Sequence, residues 1–210
     1  NTATRGARKE FPAVAVIVLE AGGSTEGTSV DFTIYDGDDP DMPMWMQYRF
    51  IIGSGSNTGI AALNGIITFG CTDNGVLISN FIKDGMVLHN HVHRHTYGSI
   101  APGRLGRSTV AAVLEASITG YSIVSQVVND VAIKVLPNAP IDAATGLPVP
   151  TIAVATDGGV SVIKDDGTVV DITASAGSSY SGVSWIDITE NYNLIFEQDN
   201  STNPRSVFCI

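Results

Sequence analysis

The chain has 210 residues, 44% of them hydrophobic and 15% charged, with a formal net charge of −10. That length suits a single domain with its own core, and that apolar content excludes a disordered chain. The acidic balance excludes a general binder of nucleic-acid backbones, which needs a basic face, and argues against docking on an anionic membrane surface.

In chain order, short apolar and β-branched runs bounded by Gly, Asp, Asn or Pro dominate, which is the signature of strands and turns. The first runs are residues 14–19 and 30–35. The apolar stretch 13–19 is far too short to cross a bilayer, so neither membrane insertion nor a secretory signal is expected. Residues 36–43, DGDDPDMP, read as an acidic loop. Its aspartates Asp36, Asp38, Asp39 and Asp41 suit calcium, but Pro40 and Gln47 break the EF-hand pattern, and a solvated loop is preferred. Residues 42–50, MPMWMQYRF, form a strand whose Trp45, Tyr48 and Phe50 belong in a core before an interface. The run GSGSNTG at 53–59 lacks the lysine of a phosphate-binding loop and reads as a flexible connection.

Strands at 65–69 and 75–82 flank the turn Asp73-Asn74-Gly75, whose residues tolerate positive φ. Around 108–117, with Ser108 at an N-cap position, helix and strand are level. Strands at 127–135, 151–155 and 160–163 follow, with turns at Asp157-Gly158-Gly159 and Asp166-Gly167. Between the first two, Pro137, Pro140, Pro148 and Pro150 make residues 136–150 an extended surface connection. Trp185-Ile186-Asp187-Ile188 and Asn193-Leu194-Ile195-Phe196 look like paired strands. Cys71 and Cys209 are too few for a disulfide framework; buried thiols are expected, with pairing left open. Asn1 at the start and the apolar residues 206–210 at the end suggest a fragment of a longer chain.

One internal repeat is visible. TFGCTDNGVLISNFIKDG and IAVATDGGVSVIKDDG both read as strand, Asp-x-Gly-Val turn, strand, then an acidic turn. Asp73 and Asp157 lie 84 residues apart. Half of that is about 42, inside the roughly 40–45-residue spacing of a four-stranded propeller blade, so one less similar repeat is expected between them. The fold class expected is therefore all-β, with β-propeller-like repeats of about 42 residues forming a small or incomplete propeller over residues 1–210. A β-sandwich is the structural alternative.

All four histidines lie in the heptapeptide HNHVHRH: His89, His91, His93 and His95. On one β-strand a spacing of two puts every imidazole on the same face, with neighbours roughly 6.5–7 Å apart. Three arrangements stay open. A transition metal, iron or zinc, held within one chain would need further ligands from Asp, Glu or Cys71. A metal on a symmetry axis would draw His-x-His pairs from three chains, six imidazoles in all. The third arrangement is a polar, solvent-facing strand with no metal, which guards an edge against pairing. No other cofactor is indicated.

Catalytic signatures are missing from the sequence. Neither a Gly-x-Ser-x-Gly elbow nor a His-Glu-x-x-His helix occurs, and nothing marks an acid and a base held in separated environments. A non-enzymatic protein is the better expectation.

Two stretches, RKEFPAVAVIV…TIYDGDDPDMPMWM and VLPNAPIDAATGLPVPTIAVATDGGVSVIKDDGTVVDI, resemble segments of large, mostly uncharacterised tail-associated structural proteins of marine bacteriophages, which carry propeller-like repeats. The His-x-His segment is similar to those of phage tail-spike and tail-fibre trimers. The resemblance implies a place in the virion, assembly in the host cytoplasm, and a homo-oligomer. The partners it implies are other virion subunits, further copies of the chain, or a host surface glycan or protein. It transfers no site residues. Function would then sit on loops, of which 22–29, 36–43 and 136–150 are the candidates. Two rival functions are a carbohydrate-binding or carbohydrate-degrading propeller, weakened by only 7% aromatic residues, and a cellular metal-binding interaction propeller.

Overall fold

A computed structural model of the chain describes residues 8, 10–20, 29–51, 56–100, 114–173, 180–200 and 206–209. These residues form sixteen strands and, among the described residues, no helix. The protein is all-β, as the short β-branched runs require.

The strands fall into four antiparallel sheets, and in each the spatial order follows the chain. The first sheet holds β1 (Ala15–Glu20), β2 (Ser29–Asp36) and β3 (Met44–Ile51). The second holds β4 (Asn57–Leu63), β5 (Ile66–Cys71), β6 (Gly75–Asn80), β7 (Gly85–His89), β8 (Arg94–Tyr97) and β9 (Leu114–Ile118). The third holds β10 (Val128–Lys134), β11 (Thr151–Thr156), β12 (Gly159–Ile163) and β13 (Val169–Ile172). The fourth holds β14 (Tyr180–Ile188), β15 (Leu194–Asn200) and β16 (Ser206–Cys209). None closes into a barrel.

Tight turns set the registers. Between β4 and β5, Asn64 and Gly65 have φ of 53° and 72°, and Leu63 pairs with Ile66 across them. Positive φ at both central residues gives a turn whose twist matches that of the flanking strands. The paired strands expected near the end of the chain are present, with Ile186 opposite Phe196 and Ile188 opposite Leu194.

The internal repeat has a different meaning from the one expected. Asp73 lies between β5 and β6, and Asp157 between β11 and β12. Both turns join the second and third strands of their sheets, and those sheets are consecutive in the chain. Among the described residues no further sheet intervenes. The long spacing arises because the second sheet continues past its fourth strand into β8 and β9 before β10 begins, and because residues 135–150 separate β10 from β11.

Apolar alternation stacks the four sheets in chain order. Phe32, Ile34, Met46 and Tyr48 of the first sheet meet Ile67, Phe69, Leu77 and Leu88 of the second. The rings of Phe32 and Phe69 approach to 4.6 Å, and Phe32 stacks on Tyr48 at 5.3 Å. The other face of the second sheet, through Val76 and Ile78, packs on Val131, Ile152 and Val154 of the third. The third sheet's remaining face, Ala132, Ala153, Ala155 and Val160, receives Val183, Ile186 and Phe196 of the fourth. Strand β11 is covered on both sides, and all six of its residues are buried. Each large apolar side chain so buried contributes about 1.5–3 kcal/mol.

Polar ties join the first strands of successive sheets. The Thr58 hydroxyl donates to the Val128 carbonyl at 2.7 Å, and a side chain at Gly59 would collide with Asp130. The Ile186 amide donates to Asp130 Oδ2 at 3.1 Å, and Asn129 Nδ2 donates to the Val183 carbonyl at 3.0 Å.

Several local expectations change. The run at 53–59 is not wholly a loop, because Asn57 already starts β4; residues 52–55 lie outside the described residues. In the undecided segment 108–117, residues 114–117 are strand β9, and 108–113 lie outside the described residues. The loop at 22–29 lies outside them apart from Ser29, which opens β2. The proline-rich connection 136–150 forms no sheet strand but is tied down. Lys83 pairs with Asp142, and Asn64 Nδ2 donates to the Pro148 carbonyl at 3.3 Å. Cys71 is a free, buried thiol.

Candidate functional site

The histidine segment is a hairpin and not one strand. Residue Asn90 reverses the chain in the middle of the run. Its side-chain Oδ1 accepts from the amides of Val92 at 2.8 Å and His93 at 2.7 Å, and its own amide donates to the His93 carbonyl at 3.0 Å. The Asn90 carbonyl also accepts from the Ile123 amide at 3.0 Å, which fixes the turn to the segment leading into β10. This use of a short amide side chain to build a turn is common. The regular alternation of HNHVHRH hides it, although Asn90 was the available signal.

The turn splits the row that the spacing predicts. His89 ends β7 opposite Arg94, while His95 on β8 lies opposite Leu88. Successive residues on a strand point to opposite faces, so His89 and His95 lie on different faces of the second sheet. His91 is exposed in the turn, beside Val92, which is 45% exposed.

His89 is buried, and its Nδ1 lies 2.7 Å from the Tyr121 carbonyl oxygen. A carbonyl only accepts, so Nδ1 carries the proton. Burial pushes the pKa down to about 4; the Tyr121 hydrogen bond opposes that shift and nearby Arg94 adds to it. At neutral pH the ring is uncharged and acts as a structural plug. Arg94 in turn lies over the Tyr121 ring, 5.7 Å from its centre.

His95 has a different environment. With Asn90 Oδ1 committed to two backbone amides, its Nδ2 faces His95 Nε2 at 3.2 Å. Nε2 therefore accepts, and the proton sits on Nδ1, which is buried and has no hydrogen-bond partner among the described residues. Burial, then the neighbouring His93, lowers the pKa of His95. The rings of His93, His95 and Tyr97 form a ladder along β8, with centroid separations of 5.6 Å and 6.4 Å.

Among the described residues, no group of three or more His, Cys, Asp or Glu side chains is arranged to hold a metal ion. Cys71, the one thiol weighed as an extra ligand, packs in the first core cluster, where burial pushes its pKa up to about 12. It is protonated at neutral pH, and a protonated thiol is a poor metal ligand.

The acidic loop is occupied by the chain itself. Arg8 Nη1 donates to Asp36 Oδ1 at 2.7 Å and to Asp38 Oδ2 at 2.8 Å. The amides of Ala13 and Val14 donate to the two oxygens of Asp38, each at 2.9 Å. These bonds hold the Asp38 carboxyl below the usual range, with Arg8 the largest cause. Asp36 and Asp38 therefore clamp the segment entering β1, and that clamp engages carboxylate oxygens a calcium ion would use.

Among the described residues, Asp130 is the one carboxylate whose pKa is raised; it is half-buried, and burial is the largest cause. It ties β10 to β14 through the Ile186 amide, and the nearby Asp187 carboxylate adds to the rise. The fold thus defines an all-β protein of stacked meander sheets with a polar hairpin added to one of them. The chain matches no protein-family model and no curated protein.

Proposed function

We propose that this chain is a non-enzymatic structural or host-adhesion component of a bacteriophage virion, associated with the tail, and that its sheets are the blades of a propeller-like array. The observation that carries the reading is the stacking relation. Each sheet is an antiparallel meander, and the first strand of the third and fourth sheets seats on the first two strands of the sheet before it. Repeated sheets stacked this way make a rigid scaffold that presents its turns to partners. The two phage-like stretches support it, because one spans parts of the first sheet and the other spans β11, β12 and β13 of the third. They fall on two separate sheets of similar build. The partners proposed are other virion subunits, further copies of the chain, or a host surface glycan or protein.

A metal enters this reading at the exposed end of the hairpin. His91 and His93 form a His-x-His pair there, and three copies around an axis would bring six imidazoles to one iron or zinc ion.

Mass spectrometry and antibody labelling of purified phage particles test the assignment. The chain at the tail of intact particles is the expected result; its absence from particles would overturn the reading. Elemental analysis of the purified oligomer tests the metal separately, and a metal-free trimer removes it.

A further inference from the structure

The turn between β6 and β7, residues 81–84, sends its four side chains to four different parts of the molecule. The Phe81 ring reaches the first sheet, 4.9 Å from the ring of Tyr48 and 6.1 Å from that of Trp45. It also lies 5.4 Å from the ring of Phe11, ahead of β1. Ile82 covers the turn between β4 and β5, where a Cβ on Gly65 would meet its Cδ1 at 2.8 Å. Lys83 pairs with Asp142 of the connection 136–150, which belongs to the third sheet. The Asp84 carboxylate accepts from the Ser99 hydroxyl at 2.7 Å and from the amide of Ile100, a buried member of the first core cluster, at 3.0 Å.

The backbone that carries these side chains is held at several points. Asn80 Oδ1 accepts from the amides of Ile82 at 3.0 Å and Lys83 at 2.9 Å, and the Phe81 amide donates to the Gly65 carbonyl at 2.9 Å. Such side-chain bonds fix a short turn as one unit, so Phe81 and Lys83 move together. The connection on the far side of the ion pair is braced too. Asp142 Oδ1 accepts from the amides of Ala144 at 2.8 Å and Thr145 at 3.2 Å, and Asn64 holds Pro148. The corresponding turn of the third sheet closes on itself instead: Lys164 pairs with Asp166, and Asp166 caps Thr168.

We propose that residues 80–85 are a coupling element, through which the seating of Phe11 on the first core and the docking of the connection 136–150 on the second sheet depend on each other. Phe11 and Asp142 meet the turn through different side chains, Phe81 and Lys83, and belong to segments of different sheets. Freeing Lys83 lets the capped backbone relax and carries Phe81 with it. Loosening at the third sheet is thereby felt at the segment entering β1. The energy passes through a contiguous chain of bonded and packed groups, which is the physical requirement for such linkage. The inference needs no virion.

A double-mutant cycle tests it, with urea unfolding constants measured on the full chain carrying Phe11→Ala, Asp142→Ala or both. Once one change has loosened the turn, the other should matter less. The double variant should therefore fall short of the product of the two single effects by at least about threefold. Effects that simply multiply would overturn the proposal. Phe11→Leu takes the place of Phe11→Ala if the alanine variant does not fold. Glu190→Ala, which removes the partner of Lys134, is the reference and should multiply with Phe11→Ala. A shortfall of the same size there would mean a general softening of the stack and would also overturn the proposal. Acrylamide quenching gives a second readout on folded protein, in a Trp185→Phe background that leaves Trp45 as the one tryptophan. Trp45 is buried and packs on Phe11 and Phe81. Asp142→Ala should raise its quenching constant at least about twofold, as local opening spreads along the turn. An unchanged constant would mean that the ion pair acts only locally, against the proposal.

Discussion

In the third sheet the fourth strand, β13, ends at Ile172 and the sheet stops. In the second sheet the corresponding strand, β7, ends at His89 and the chain turns back into β8 and β9. The two sheets otherwise agree residue by residue near this point. Val160 lies opposite Ile172, and Val76 lies opposite His89. One residue earlier, Gly159 and Gly75 have φ of 129° and 89°, and a Cβ on either would collide with the carbonyl oxygen of Ile172 or His89 respectively. His89 therefore stands where the third sheet has an isoleucine. The added strands and the segment through Tyr121 cover that position and supply a carbonyl for its imidazole. An edge site has become an interior one, and a polar ring can live there because its one donor is satisfied.

The largest effect should come from the shared glycines. Gly75→Ala and Gly159→Ala each place a side chain against backbone at a positive φ, and each should cost about 3 kcal/mol or more in urea unfolding. Similar losses at both sites would strengthen the correspondence between the sheets. A tolerated alanine at one of them would break it.

Next is the pH dependence that separates the two sheets. His89 has its folded-state pKa lowered to about 4 from 6.5. The unfolded chain therefore takes up a proton first as pH falls. Stability is complete above about pH 6.5, declines below it and stops declining near pH 4, with a loss on the order of 3 kcal/mol. Unfolding curves across that range should show the decline in the parent protein. His89→Gln should remove most of this slope while lowering stability at pH 7. An unchanged slope would mean that His89 is not the buried neutral ring described above.

A smaller effect belongs to the turn that exists only in the second sheet. Asn90→Ala removes the acceptor for two amides and should cost about 1–2 kcal/mol. Hydrogen exchange should show the loss of protection concentrated in β7 and β8, with β12 and β13 unchanged. Uniform loss across both sheets would mean that the hairpin is not a separable addition.

The strands were legible because alternation and bounding turn residues report local geometry directly. Asp73-Asn74-Gly75 and Asp157-Gly158-Gly159 were recognisable as equivalent turns for the same reason. Their separation was misread as two repeats, since a sequence distance does not distinguish an intervening sheet from strands added to the preceding one. The histidine row failed differently. A spacing of two is what one strand would show, and it persists when an asparagine side chain folds the strand in half. The aspartates of residues 36–43 were visible as a charged loop, but their partner Arg8 lies 28 residues away from Asp36 in the chain.

By itself the sequence determined that the protein is all-β, where most strands run and which turns are tight. These depend on side-chain alternation and on backbone freedom at Gly, Asn and Asp, both of which are local. Only the tertiary structure decided that the two Asp-x-Gly turns belong to neighbouring sheets, that His89 and His95 lie on opposite faces, and that Val16 and Val18 of β1 are exposed while Ile17 and Leu19 pack on the core. Those outcomes depend on which sheet packs on which face, and the period-two pattern is identical whether a face meets another sheet or water.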